Sequence, residues 1–194
     1  MRIVKLLCLA TALAAAALSP AATLAQNQQA LLGTTVEPAK LVRAKKIIIN
    51  LKLFDILIFG GRKGLMSDPN IAALPKADQD RLLGLFSEEM EKRRNDTNLA
   101  MSIANADKYT VQQLDQLVEL SQIKYVQDLV LNGGDPSLAT PDEASMTAPQ
   151  RAVFISLMNE TWVADFFTKF DYSTAAPYVT QAAEAAVKRY IETR

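Results

Sequence analysis

Phe154, Met158, Trp162, Phe166 and Phe170 recur at every fourth residue through the stretch VFISLMNETWVADFFTKF. A helix returns such residues to one side, whereas a strand would alternate them from face to face. Ile155, Val163 and Phe167 widen the stripe. Aromatic and thioether side chains of this size carry large apolar areas, so the fold must be organised to cover them. The same period returns at Leu82, Phe86 and Met90, at Leu114, Leu117, Val118 and Ser121, and at Val179, Ala183, Val187 and Tyr190. Proline and glycine punctuate these runs. Pro38 stands near the start of a run that reaches Phe59 and is stopped by Gly60-Gly61. Pro69 and Pro75 bracket a loop, Asn132-Gly133-Gly134-Asp135-Pro136 closes another run, Pro141 and Pro149 flank the next start, and Pro177 opens the last. Proline early and glycine late is the asymmetry of helices. The pattern predicts an all-α protein without a sheet, a single bundle of five or six helices over residues 37–194.

The first 25 residues follow a different logic. MRIVK supplies two positive charges, LLCLATALAAAAL is uncharged and apolar, and Thr23-Leu24-Ala25 offers small residues for a signal peptidase. This is the pattern of a secretory signal peptide, and its apolar run falls short of the roughly 20 residues a membrane span requires. Residues 1–25 are therefore expected to be removed, 26–36 to form a flexible Gln-rich lead-in, and the mature protein to be periplasmic without a transmembrane helix. The one cysteine, Cys8, leaves with the signal, so core burial rather than disulfides must hold the mature chain together. Removing Arg2 and Lys5 from the 21 basic residues leaves 19 against 21 acidic ones. Such a balance does not suit a nucleic-acid partner, which needs concentrated positive charge.

Histidine is absent from the whole chain. Without His or mature Cys, the usual zinc and copper sites, a Ser-His-Asp triad and a Cys-His pair have no raw material. A calcium loop is not spelled by GGDPSLATPDE, which lacks the required alternation of oxygen ligands. FGGRKGL at 59–65 lacks the Lys-Ser/Thr of a phosphate loop and is read as a helix C-terminus with cations at the negative end of its dipole. SEEMEKRRND at 87–96 pairs Glu88 with Lys92 and Glu89 with Arg93 at i,i+4, the signature of a solvated helix face. KKIIINLKLFDILIF at 45–59 has no clean polar side, which predicts a central helix buried on most sides. A lipid-facing or partner-facing surface and an isoleucine-rich strand are the alternatives for it.

In ADKYTVQQLDQLVEL, Thr110 and Gln113 have the spacing of a capping box that opens a helix, with Leu114, Leu117 and Leu120 buried behind it. Tyr109, Thr110, Leu114 and Leu117 resemble the shared segment of domain-of-unknown-function family 2059, small exported helical proteins of bacteria. That segment reads roughly Tyr-x-Thr/Ser-x-x-Glu-Leu-x-x-Leu-x-x-Phe-Tyr-x-Ser-Pro-x-Gly. Gln113 stands at its Glu and Leu120 at its Phe, while Ser121, Ile123-Lys124 and Val126 replace the Tyr, Ser-Pro and Gly. Losing Ser-Pro and Gly predicts a helix running unbroken to Asn132. The resemblance covers residues 109–120 and implies export, a helical fold and no established activity.

These observations point to a non-catalytic protein with no cofactor or metal that acts by protein or envelope binding, with an envelope protein as the expected partner. The alternative is a carrier of a small apolar ligand or lipid. Phe154, Met158, Trp162, Phe166 and Phe170 are the candidate ligand or partner surface, while Thr110 and Gln113 are a structural cap. Expressed in a Gram-negative bacterium, the protein is expected in the periplasm with Gln26 as its first residue by intact-mass measurement. A cytoplasmic product retaining residues 1–25 contradicts the export reading.

Overall fold

The computed structural model describes residues 36–134, 137, 138 and 141–193, so the expected signal peptide and most of the expected lead-in lie outside the described residues. The chain is all-α: among the described residues there is no strand. No helix among them is long and apolar enough to cross a membrane. The helices are more numerous and shorter than five or six, because several runs that look continuous in the sequence are interrupted. By backbone proximity the chain divides into two compact units, one of residues 57–97 with 175–193 and the other of 36–56 with 98–174.

The first unit is built on helix α4 (Lys76–Glu91) packed along helix α10 (Ala176–Glu192). Leu82, Phe86 and Met90 are fully buried at the expected i+4 spacing. On α10 the fully buried side is Ala182, Ala186 and Tyr190, with Val179, Ala183 and Val187 half-buried, one residue round from the expected stripe. Small alanines let two helix backbones approach closely, which explains why the face centres on them. Helix α2 (Leu53–Met66) contributes its later turns to this unit, and helix α3 (Pro69–Ala72) is capped by Asp68, whose carboxylate accepts from the Asn70 and Ile71 amides. Gly60 and Gly61 do not end α2 as expected; the helix runs through both to Met66. At Gly61 the reason is steric, because a Cβ there would stand 2.4 Å from Cζ of buried Phe86 and 3.4 Å from a Val179 methyl. Glycine permits a contact here rather than a turn.

Glu89 departs from the solvated face read for 87–96. It is only 4% exposed, and its carboxylate is held by Lys92, by Arg93 at 3.0 Å and by Arg189 of α10 at 2.9 Å. The Arg189 guanidinium also reaches Glu88, at 2.9 Å, so Glu88 pairs across to α10. A buried carboxylate persists only when paired and hydrogen-bonded. Here the hydrogen bond from Lys92, outweighing burial and joined by those from Arg93 and Arg189, lowers its pKa to about 2.

The second unit is organised around helix α1 (Pro38–Asn50) packed on helix α6 (Val111–Ser121). Ala44, Ile47 and Ile48 meet the side of α6 that buries Leu114, Leu117, Leu120 and Ser121. Two polar links fix their register: Arg43 donates to both oxygens of Asp115, at 2.6 and 3.1 Å, and Asn50 donates to the Ser121 hydroxyl at 3.0 Å. The helix expected across 45–59 breaks at Leu51-Lys52, where Lys52 adopts the left-handed φ of +54°. Leu51 and Leu53 are both buried, at 1% and 2% exposed. On one straight helix they would point about 200° apart, and the break turns both towards the interior. Helix α5 (Arg94–Ala106) leads to α6, whose start is the expected capping box: Thr110 Oγ1 accepts from the Gln113 amide at 3.2 Å, and the Thr110 amide donates to Gln113 Oε1 at 2.9 Å.

The helix does not run on to Asn132. It tightens at Ser121 into i,i−3 hydrogen bonds from Gln122 and Ile123, and the Gln127 side chain satisfies the Ser121 carbonyl at 2.9 Å. Helix α7 (Lys124–Gly134) then starts anew. A second capping box, Thr147 with Gln150, opens helix α8 (Ala148–Met158), and helix α9 (Thr161–Thr168) follows.

The Glu89 cluster generates a prediction with a definite sign. A folded pKa held near 2, against an ordinary 4.5, contributes stability present above pH 4.5 and lost as pH falls towards 2. Glu89→Gln is expected to lower unfolding free energy at pH 7 by roughly 2–3 kcal/mol and to flatten its fall between pH 4.5 and 2. Urea titrations followed by circular dichroism at both ends of that range check this. An unchanged pH slope in the variant would contradict it.

Candidate functional site

The aromatic ladder is not one helix. It is divided at Asn159-Glu160, where Asn159 Nδ2 bonds the Ile155 carbonyl at 2.9 Å and the Glu160 amide bonds the Leu157 carbonyl at 3.0 Å. Phe154 and Met158 lie on α8, Trp162 and Phe166 on α9, and Phe170 just beyond α9. The break folds the two halves of the ladder around a cavity of 530 Å³ inside the second unit. Phe154, Met158, Phe166 and Phe170 line it; Trp162 does not. Instead the Trp162 ring lies 6.4 Å from Tyr109, which makes an edge contact with Phe166 at 5.7 Å. Thr110 and Gln113 are outside the cavity and serve as the helix cap alone.

Phe166, 3% exposed, is the hub of the aromatic packing. Besides Tyr109 it meets Phe167 at 5.2 Å and Phe170 at 5.5 Å, both close to edge-on. These are the geometries that aromatic quadrupoles favour. Phe154 is held edge-on by Tyr125 of α7, at 5.4 Å. The opposite wall comes from α7 through Val126, Leu129, Val130 and Gly133, with Leu53 and Ile56 of the first turn of α2. That α7 stripe has i,i+3/i+4 spacing and was open to the same periodicity reading, but the expected unbroken helix to Asn132 concealed where it would point.

Two of the fourteen lining residues, Thr168 and Tyr172, carry a polar side chain, and none is charged. The Thr168 hydroxyl is already engaged, donating to the Ala164 carbonyl at 2.8 Å. The Tyr172 ring stacks at a tilt on Phe170, 4.7 Å away, and burial pushes its phenol pKa up. Such a lining offers dispersion and hydrophobic contact and contains no acid–base pair. Among the described residues no group of three His, Cys, Asp or Glu is placed to hold a metal.

The wall segment Phe170-Asp171-Tyr172 has no helix to support it. Asn105 of α5, 3% exposed, holds it instead. Its Nδ2 donates to the Asp171 carbonyl at 3.1 Å while its Oδ1 accepts from the Asp171 amide at 2.9 Å. On the other side the Asp171 carboxylate accepts from the Ser173 amide and hydroxyl, at 2.9 and 2.6 Å, and these bonds lower its pKa. A buried asparagine in an apolar run is the signal that could have marked Asn105, since it requires partners.

Asn105→Ala is expected to cost about 1–3 kcal/mol in unfolding free energy, because the paired backbone groups of Asp171 lose their partners. It should also shift Trp162 emission, since Trp162 reports on the packing around Phe166. A loss below about 0.5 kcal/mol, with unchanged emission, would show that the clamp does not hold the wall. No family model matches the chain, and neither does any curated protein or solved structure; the likeness of residues 109–120 to family 2059 rests on those residues alone.

Proposed function

We propose that this protein is an exported, non-catalytic binding protein whose second unit carries a small apolar ligand in the cavity between α7, α8 and α9. The observation that supports this reading is the cavity itself. A domain closes its core to near-crystalline density, and voids larger than water are few. A space of 530 Å³ between uncharged walls falls within the range of small-molecule sites. Water gains little there, since the lining gives it almost nothing to bond. An apolar guest would exchange that unfavourable hydration for contact with Phe154, Phe166 and Phe170.

A second reading, docking on an envelope protein or membrane surface, is favoured by one feature of α1. Its outer side exposes Val42 (68%) and Ile49 (53%), with exposed Lys45 and Lys46 between them. That stripe needs no cavity, so loss of surface binding on Val42→Ser with Ile49→Ser would separate it from the first reading.

N-phenyl-1-naphthylamine, an uncharged dye that brightens in apolar surroundings, tests the carrier. It is expected to bind saturably at one site per chain and to take energy from Trp162, the single tryptophan. Leu129→Asp, at a lining position 40% exposed, places a charge on the wall without disturbing buried packing and should weaken the dye at least about tenfold. Absence of saturable binding, or equal binding to the variant, would contradict the proposal.

A further inference from the structure

The lining residues differ steeply in exposure, which gives the cavity a closed end and a mouth. Leu53, Val126 and Phe166 are 2%, 1% and 3% exposed, whereas Leu129 and Met158 are 40% and 39% exposed. Gly133, Ala164 and Thr168 are exposed with them. Leu53, Val126 and Phe166 are aliphatic or aromatic; of the two polar lining side chains Thr168 is exposed and Tyr172 is half-buried against Phe170. The side chains of Leu53, Val126 and Phe166 cannot bond a polar head, and burying one unpaired is costly.

Charge is equally informative. No lining residue is ionised; near the mouth two charged pairs, on α7 and at the end of α9, are matched, and exposed Glu160, two residues beyond Met158, stands in water. Lys169 pairs with Asp165 at 2.8 Å, and Lys124 with Asp128 at 2.5 Å. An anionic head finds no free cation in this lining, and a cationic head no free carboxylate. Size narrows the guest further. A space of 530 Å³ that opens to solvent at Leu129 and Met158 suits one alkyl chain. Two long chains side by side would need twice the room.

From these three observations, and resting on the carrier reading above, we infer that the ligand is a single-chain amphiphile bound tail first, its head in water at the Leu129–Met158 mouth. The cavity selects by chain length and is indifferent to the charge of the head. The chain supplies the affinity, about fourfold for each methylene withdrawn from water. That gain stops when the tail reaches Leu53 and Phe166. The carrier therefore takes single chains whose heads differ, and excludes long-chain diacyl lipids.

The test is displacement of N-phenyl-1-naphthylamine from residues 26–194 by three homologous series, octyl to octadecyl, each kept below its micelle concentration. The series are primary alcohols, alkyl sulfates and alkyltrimethylammonium salts. Affinity is expected to climb about fourfold per methylene and to level off by the octadecyl member. Dodecyl compounds of the three series should agree within about threefold, at low and at high salt. Met158→Lys, at an exposed position that leaves the fold intact, places a cation beside the head. It should favour dodecyl sulfate over dodecyltrimethylammonium by at least about fivefold, an advantage that salt removes. A flat dependence on chain length overturns the inference. So does a salt-sensitive preference above about tenfold in the unaltered protein, or a folded Met158→Lys variant that discriminates no better. If the dye binds but no single chain displaces it, this inference fails while the cavity reading survives. If the dye itself finds no site, both fall.

Discussion

Phe166 is the side chain on which the second unit turns. Its ring is buried at the centre of α9 and meets Tyr109 from the turn before α6, Phe167 from its own helix, and Phe170 from the segment that follows. These contacts tie together pieces that the chain brings in from separate places. They also shape the cavity, because Phe166, Phe167 and Phe170 belong both to the aromatic cluster and to the lining. Truncating such a ring would remove both dispersion contacts and the wall, so stability and binding are coupled through a single residue. The Asn105 clamp completes the arrangement by holding Phe170 and Tyr172 where no helix does.

The first unit solves its problem differently. Its helices α4 and α10 approach closely because Ala182 and Ala186 are small, and α2 comes in on Phe86 because Gly61 has no side chain. Tight approach brings Glu89 out of water, and the cost of that burial is offset by Lys92, Arg93 and Arg189 together. Removing one partner leaves a buried charge short of compensation, which is why the cluster is a point of weakness in acid. Packing and electrostatics are therefore not separable here.

Periodicity read α4 and the leucines of α6 well, and on α10 it missed the buried face by one residue. Leu82, Phe86 and Met90, and Leu114 with Leu117, are buried where the spacing places them. The cap formed by Thr110 and Gln113 was legible because its chemistry is local. What periodicity could not see were the breaks. The interruption at Lys52 satisfies two buried leucines at once, the one after Ser121 is stabilised by Gln127, and the one at Asn159-Glu160 folds the ladder round a space. The bonds that mark these breaks are local, but each break is a departure from the helical period that spacing alone does not signal. Glu89 was concealed for another reason: its third cation lies 100 residues away on α10. Four of the five ladder residues reached the candidate site, and Trp162 was turned out of it by the break that created the cavity.

The ladder's role follows from that geometry: interrupted between α8 and α9, it becomes the wall of an uncharged space rather than the filling of a core. The most direct measurement is a methyl NMR titration of residues 26–194 with an uncharged single-chain alcohol such as dodecanol. The account predicts saturable shifts at the methyls of Leu53, Val126, Leu129, Val130 and Met158, all in the lining, with those of Leu82 and Met90 in the other unit unmoved. Shifts scattered over both units, or a lining that stays silent while α1 methyls at Val42 and Ile49 respond, would contradict it.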